Sequence, residues 1–186
     1  MTERRLIFLD IDGVLAHAGS DNTLDPNCIA ELDWLIDETG AEVVLTSSWR
    51  ETFGVGETQR RLAAAGFRQS IAAVTPTFPR RSRSDEIDAF LANLSGPARF
   101  VILDDVPTAS HLVPALVLID DFTGLTGLEA ALAKQLLTCP RSETRSVQPA
   151  PRQARAAQRA GSRERARSRA GATKLPMPRP GKTRGK

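Results

Sequence analysis

Five short apolar runs, at residues 6–9, 42–46, 71–74, 99–103 and 115–119, recur along the chain, and they constrain its fold more than any other feature. Each is rich in Val, Ile, Leu or Phe and lacks clean alternation, the pattern of strands buried on both faces. Helical patterns separate most of them. Asp25-Pro26 reads as an N-cap with proline at the first helical position; Ile29, Leu32, Leu35 and Ile36 then form one apolar stripe, and Gly40 supplies the stop. A second helix is expected over 57–65, ending at Gly66. A third starts near Ser84 and carries Ile87, Phe90, Leu91 and Leu94. The last opens on the capping box Thr126-x-x-Glu129 and stops at Pro140. Strands alternating with helices predict an α/β domain over residues 1–140, a five-stranded parallel sheet covered on both faces.

In such a sheet, ligands bind beyond the carboxyl ends of the strands. Asp10 and Asp12 follow the first run, Thr46-Ser47-Ser48 the second, Asp104-Asp105 the fourth and Asp120-Asp121 the fifth. Acids from the first and fourth strands would share one crevice. Crowded carboxylates stay ionised when a cation sits between them, and all-oxygen ligation favours Mg2+. Asp is also common in turns after strands. Thr46 and the Asp104-Asp105 pair, each arriving at a strand end in order, argue for a site.

The segments LIFLDIDGV, VVLTSSW and VILDD resemble three motifs of the haloacid dehalogenase (HAD) superfamily, and the resemblance covers residues 5–138. The DIDGVL start, the SSWR turn, the RSDEI helix start and the late GLTGLEAAL are similar to a capless group described as Swiss-army-knife RNA-repair-like. The resemblance implies a doubly wound, five-stranded parallel sheet of Rossmann-like α/β class, and an aspartyl phosphatase. Asp10 would attack phosphorus and form an aspartyl-phosphate; Asp12 would protonate the leaving oxygen and later deprotonate the attacking water. Gly13 lets the chain turn below the phosphate, where a Cβ would crowd it. Mg2+ would be held by the Asp10 side chain, the Asp12 backbone carbonyl and one acid of Asp104-Asp105, with Asp105 favoured as the direct ligand. Thr46 fits the hydroxyl that orients a phosphate oxygen, with Ser47 as the register alternative and the backbone N–H groups that open the next helix near Ser48 assisting.

The superfamily also uses a Lys or Arg reaching the phosphate from before the fourth strand. No lysine precedes Lys134, so an arginine must serve. Arg83 is the choice, with Arg80 and Arg81 as competitors. His17, His111 and the Asp120-Asp121 pair are read as capping, surface or turn residues, and Trp49-Arg50 as core or as part of the substrate mouth.

Segments 14–24 and 66–84 are too short for the cap domain by which many superfamily members select small substrates. An uncovered cleft admits bulky phosphorylated substrates, nucleic-acid ends among them, and does not exclude small ones. No G-x-x-x-x-G-K-[ST] occurs, so no kinase half is present.

Charge is segregated. Residues 141–186 carry 14 basic residues against two acidic, a net +12, and residues 1–140 carry 11 against 20, a net −9. The Arg/Ala-rich, aromatic-free tail is expected to be disordered alone and to contact RNA or DNA weakly and without sequence selectivity. A solvated, dispensable extension is the competing reading. Two distant cysteines, Cys28 and Cys139, argue against a disulfide framework or zinc site. With no signal peptide and no run of about 20 apolar residues, the expected location is cytoplasmic, without membrane contact. The leading function is Mg2+-dependent phosphomonoester hydrolysis. The alternatives are a nucleic-acid-binding module with a vestigial phosphatase core, or a phosphotransferase to a non-water acceptor.

Overall fold

Side by side, the apolar runs form one all-parallel sheet in the computed structural model, which describes residues 3–139. The strands are β1 (Arg4–Leu9), β2 (Glu42–Leu45), β3 (Ile71–Val74), β4 (Ala98–Asp104) and β5 (Leu116–Leu118), in spatial order β3-β2-β1-β4-β5. The chain builds outward from β1 to β3, then returns across β1 to place β4 and β5 on its other side. That reversal falls between β1 and β4, where the crevice of an open α/β sheet opens.

Helices α1 (Pro26–Thr39), α2 (Trp49–Thr52), α3 (Val55–Ala64), α4 (Arg83–Ala92) and α5 (Gly127–Thr138) complete the domain. Alternate β1 residues feed opposite cores, as the strand period of two requires. Ile7 and Leu9 pack with Leu32 and Leu35 of α1, Leu62 of α3 and Ala133 and Leu137 of α5. Leu6 and Phe8 pack with Ile87 of α4 and with Leu112. Phe8 meets Phe90 and Phe100 edge-on at 5.5 and 5.6 Å, contacts worth about 1 kcal/mol each beyond their buried area.

Local chemistry sets most boundaries. The Asp25 side chain accepts the Asn27 N–H, and Gly40 closes α1 in the left-handed region at φ 63°, donating its N–H to Ile36 O. Thr126 and Glu129 form the expected box on α5. Some boundaries differ slightly from expectation. Helix α4 starts at Arg83, within one residue of the expected Ser84, because Ser82 and Asp85 form a reciprocal capping box. The helix expected to open near Ser48 is the four-residue α2, and Gly54, at φ 81°, separates it from α3, which starts two residues before Glu57. A 3-10 turn at Val113–Ala115, containing Pro114, shortens β5 at its start. The edge strand β3 is only half-buried, unlike β1.

No inserted domain interrupts 10–25 or 75–82, so the crevice has no cap among the described residues. None of their helices is long and apolar enough to cross a membrane. Cys28 and Cys139 are free thiols. The basic segment 141–186, with its expected disorder, lies outside the described residues.

Candidate active site

Parallel register brings three strand ends abreast. Leu9 pairs with both Leu45 and Leu103. Just past these pairs, Asp10 N–H donates to Leu103 O at 3.0 Å and Thr46 N–H donates to Leu9 O at 2.9 Å. Thr46, Asp10 and Asp104 therefore stand in a row at the switch point, and all three are buried.

Arg83, at the first position of α4, reaches across this row. Its Nη1 donates to Asp10 Oδ2 and, at 2.5 Å, to Asp104 Oδ2. Arg80 and Arg81 make no such contact; both are exposed, and Arg81 stacks over Phe78. Burial opposes the Arg83 charge, but Asp10 and Asp104 together outweigh it and raise its pKa above the ordinary arginine range. Burial likewise pushes the Asp104 carboxyl up, against the pull of Arg83. Asp105 is raised by burial and then by the nearby Asp10 charge, with Asp121 adding to it. Three carboxylates facing one guanidinium leave the crevice short of positive charge.

Oxygens of Asp10, Asp104 and Asp105 lie within 4.8 Å of one another. One hydrated divalent ion spans such a set, and magnesium commonly keeps several waters while using one or two carboxylates. The three differ in availability. Asp10 Oδ1 accepts the Ile11 N–H at 2.8 Å. Asp104 has both oxygens engaged, Oδ2 by Arg83 and Oδ1 by the Val106 N–H at 2.9 Å. Asp105 is half-buried and lies against Gly13: a Cβ at Gly13, whose φ is 73°, would fall 2.5 Å from Asp105 Cγ and Oδ2. The close neighbour of Gly13 in this structure is thus the Asp105 carboxyl.

The loop after β2 contributes a different chemistry. Thr46 is 1% exposed and its Oγ1 has no hydrogen-bond partner. A buried hydroxyl left unsatisfied calls for a ligand or a water. Ser47 Oγ is instead occupied, accepting the Trp49 N–H at 3.3 Å, while Ser48 is exposed at the start of the four-residue α2.

Several contacts here escape sequence reasoning. Asp12 is exposed, and its Oδ1 accepts the indole N–H of Trp49 at 2.8 Å. Arg50 donates to the carbonyls of Thr46 and Ser47, and pairs with Glu86 of α4 at 2.6 Å. The Trp49–Asp12 and Arg50–Glu86 links join residues 37 and 36 positions apart, so no local spacing announces them. A second cluster of potential ligands, His17, Asp25 and Cys28, gathers at the start of α1, with His17 Nε2 and Asp25 Oδ2 2.7 Å apart. His111 pairs with Asp88 on α4. Asp120 forms a strand-end turn, its side chain accepting the Phe122 N–H.

A doubly wound parallel domain with converging carboxylates, one bridging arginine and no cap defines a HAD-type α/β protein. The sequence profile described as "HAD domain in Swiss Army Knife RNA repair proteins" matches residues 6–130, and the chain belongs to that family. No curated protein and no solved structure matches the chain significantly. Membership supports phosphatase-type hydrolase chemistry in general.

Proposed function

We propose that residues 1–140 form a magnesium-dependent phosphomonoester hydrolase that works through an aspartyl-phosphate on Asp10. The observation that carries this reading is the bridging of Asp10 and Asp104 by Arg83, beside the buried, unpartnered hydroxyl of Thr46. Asp10, the Asp12 backbone carbonyl and Asp105 would hold the ion, with Asp104 behind them. Bound there, magnesium would offset the charge on the transferring phosphoryl group.

The chain's own side chains do the rest. A carboxylate oxygen of Asp10 bonds to phosphorus as the phosphorus–oxygen bond to the leaving group breaks. Asp12 passes its proton to that leaving oxygen. Water then attacks phosphorus, Asp12 takes up the water's proton, and the Asp10 carboxylate leaves. Arg83 and Thr46 each hold a phosphate oxygen, which fixes the phosphorus in line with Asp10. Gly13 keeps the Asp105 carboxyl close by leaving it room.

The open crevice and the family's description support one substrate class. An uncapped site admits a phosphate at the end of a nucleic acid, and the matching family is named for RNA repair proteins. A cytoplasmic site of action suits such a substrate. The test is a release assay on small phosphomonoesters and on RNA and DNA oligonucleotides phosphorylated at either end, with and without magnesium. Magnesium-dependent release from the oligonucleotides supports the reading; a folded protein inert toward the whole panel overturns it.

A further inference from the structure

Eight of the ten arginines among the described residues have their guanidinium charge or donors taken up. Arg4, Arg50, Arg60, Arg61, Arg68, Arg83 and Arg99 pair with carboxylates. Arg5 donates to the Thr39 carbonyl. Arg80 and Arg81 differ. Neither makes an ion pair or a side-chain hydrogen bond among the described residues, although residues 1–140 have far more acids than bases to offer. Both are exposed.

Their backbone is unusual as well. Arg81 N–H donates to Phe78 O at 3.2 Å, closing a four-residue turn with Pro79 second and Arg80 third. Arg80 sits there at φ 62°, the left-handed conformation that a type II turn demands of its third residue. Glycine or asparagine occupies that position at low cost, whereas arginine is strained in it. Strain held in an exposed turn beside an active crevice points to a role for the side chain. The turn is anchored: Phe78 N–H donates to Glu86 Oε1, and Glu86 is locked by Arg50. Arg81 is propped over the Phe78 ring at 4.9 Å.

Placement gives the role. The turn leaves the carboxyl end of β3 and runs directly into Arg83, which bridges Asp10 and Asp104. Three residues extend at most about 11 Å, so Arg80 and Arg81 stand close enough to Arg83 to meet phosphates adjoining one held there. We infer that Arg80 and Arg81 form a subsite for the phosphodiester backbone next to the reacting phosphate, selecting a single-stranded polynucleotide end over a small phosphomonoester. The subsite rests on the proposed binding of a phosphoryl group at Asp10, Thr46 and Arg83. It reads charge and not bases, so it is indifferent to sequence.

Binding and turnover test it separately. Binding of a fluorescent single-stranded oligonucleotide with a terminal phosphate is measured by anisotropy on the full-length Asp10→Asn protein, with and without Arg80→Gly and Arg81→Gln. Each lost phosphate contact makes the log–log salt dependence shallower by about 0.7. The double variant is therefore expected to lose about 1.4 from the slope, and about tenfold or more in affinity at 0.1 M salt. Arg80→Gly relieves the turn, so the melting temperature does not fall. In otherwise native protein the same pair raises KM for the oligonucleotide and leaves aryl phosphate turnover unchanged. Unchanged affinity and slope overturn the subsite. So does an equal loss on aryl phosphate, which would make the turn a mere support for α4, or a loss confined to a phosphopeptide. Absence of all turnover overturns the proposed hydrolase instead, and the anisotropy result still decides the subsite.

Discussion

The indole N–H of Trp49 donates to Asp12 Oδ1 at 2.8 Å, linking a buried ring beyond β2 to an exposed carboxyl beyond β1. Trp49 is itself wedged against Phe53, with ring centroids 5.1 Å apart. Asp12, the proposed proton carrier, is thus aimed by a rigid donor.

Trp49→Phe keeps most of the packing and removes that donor. A hydrogen bond to a charged group is worth about 1.5 kcal/mol, which corresponds to about tenfold in rate. The expected outcome is a kcat reduced about tenfold with KM little changed, read from steady-state kinetics on an aryl phosphate. Unaltered kcat would show that Asp12 does not depend on the indole.

Glu86→Ala leaves Arg50 buried and without its close carboxylate, with only the exposed Glu51 carboxylate remaining at 3.8 Å. The Arg50 and Glu86 side chains are 5% and 10% exposed, so the pair lies largely out of water. Removing one member of such a pair costs about 3 kcal/mol or more, measurable by urea denaturation. A loss below about 1 kcal/mol would place the pair with weak surface contacts. Arg50 also holds the Thr46 and Ser47 carbonyls, so turnover is expected to fall along with stability.

Gly13→Ala introduces a Cβ 2.5 Å from the Asp105 carboxyl at a backbone φ of 73°. The Asp105 carboxyl must shift from its place in the acidic set to relieve the clash. The magnesium concentration giving half-maximal activity is expected to rise at least about tenfold, the scale seen when groups supporting a metal ligand are lost. Unchanged magnesium dependence in a folded variant would separate Gly13 from the metal set.

Glu42 supplies a pH signature away from the crevice. Arg4 forks onto it, Nε to Oε1 at 3.0 Å and Nη2 to Oε2 at 2.6 Å. That hydrogen bonding holds the Glu42 carboxyl below its ordinary pKa, with partial burial opposing. A folded-state pKa below the unfolded value of about 4.3 gives stability that is present above it. That stability is lost as pH falls through the folded value. Both side chains are more than a third exposed, so Glu42→Gln should cost less than about 1 kcal/mol at pH 7, and less again at high salt. The difference from the native protein should close once the pH has fallen below the lowered pKa of Glu42 in the folded protein. A gap that persists there would contradict the pairing.

The fold was legible in the sequence because its signals are local. Asp25-Pro26, Gly40 and the Thr126-Glu129 box each act within one helical turn, and the central strands are continuous apolar runs. The row of strand-end residues was legible for a related reason: in a parallel sheet every strand ends on the same side. Arg83 was harder to separate from Arg80 and Arg81, because the decision lies in the Ser82-Asp85 box that starts α4 at Arg83. The Trp49–Asp12 and Arg50–Glu86 links, and the meeting of His17 with Cys28, depend on how distant segments pack. No spacing in the chain announces them.

Most direct for the central role of Asp10 is phosphate release from an aryl phosphate by the native protein and by Asp10→Asn, each with magnesium and with chelator. The amide keeps the shape of the side chain but cannot act as the nucleophilic carboxylate. Expected is magnesium-dependent release by the native protein and none above background by a folded Asp10→Asn variant. Equal release by the two proteins, or release by the native protein unaffected by chelator, would contradict a magnesium-dependent aspartyl phosphatase built on Asp10.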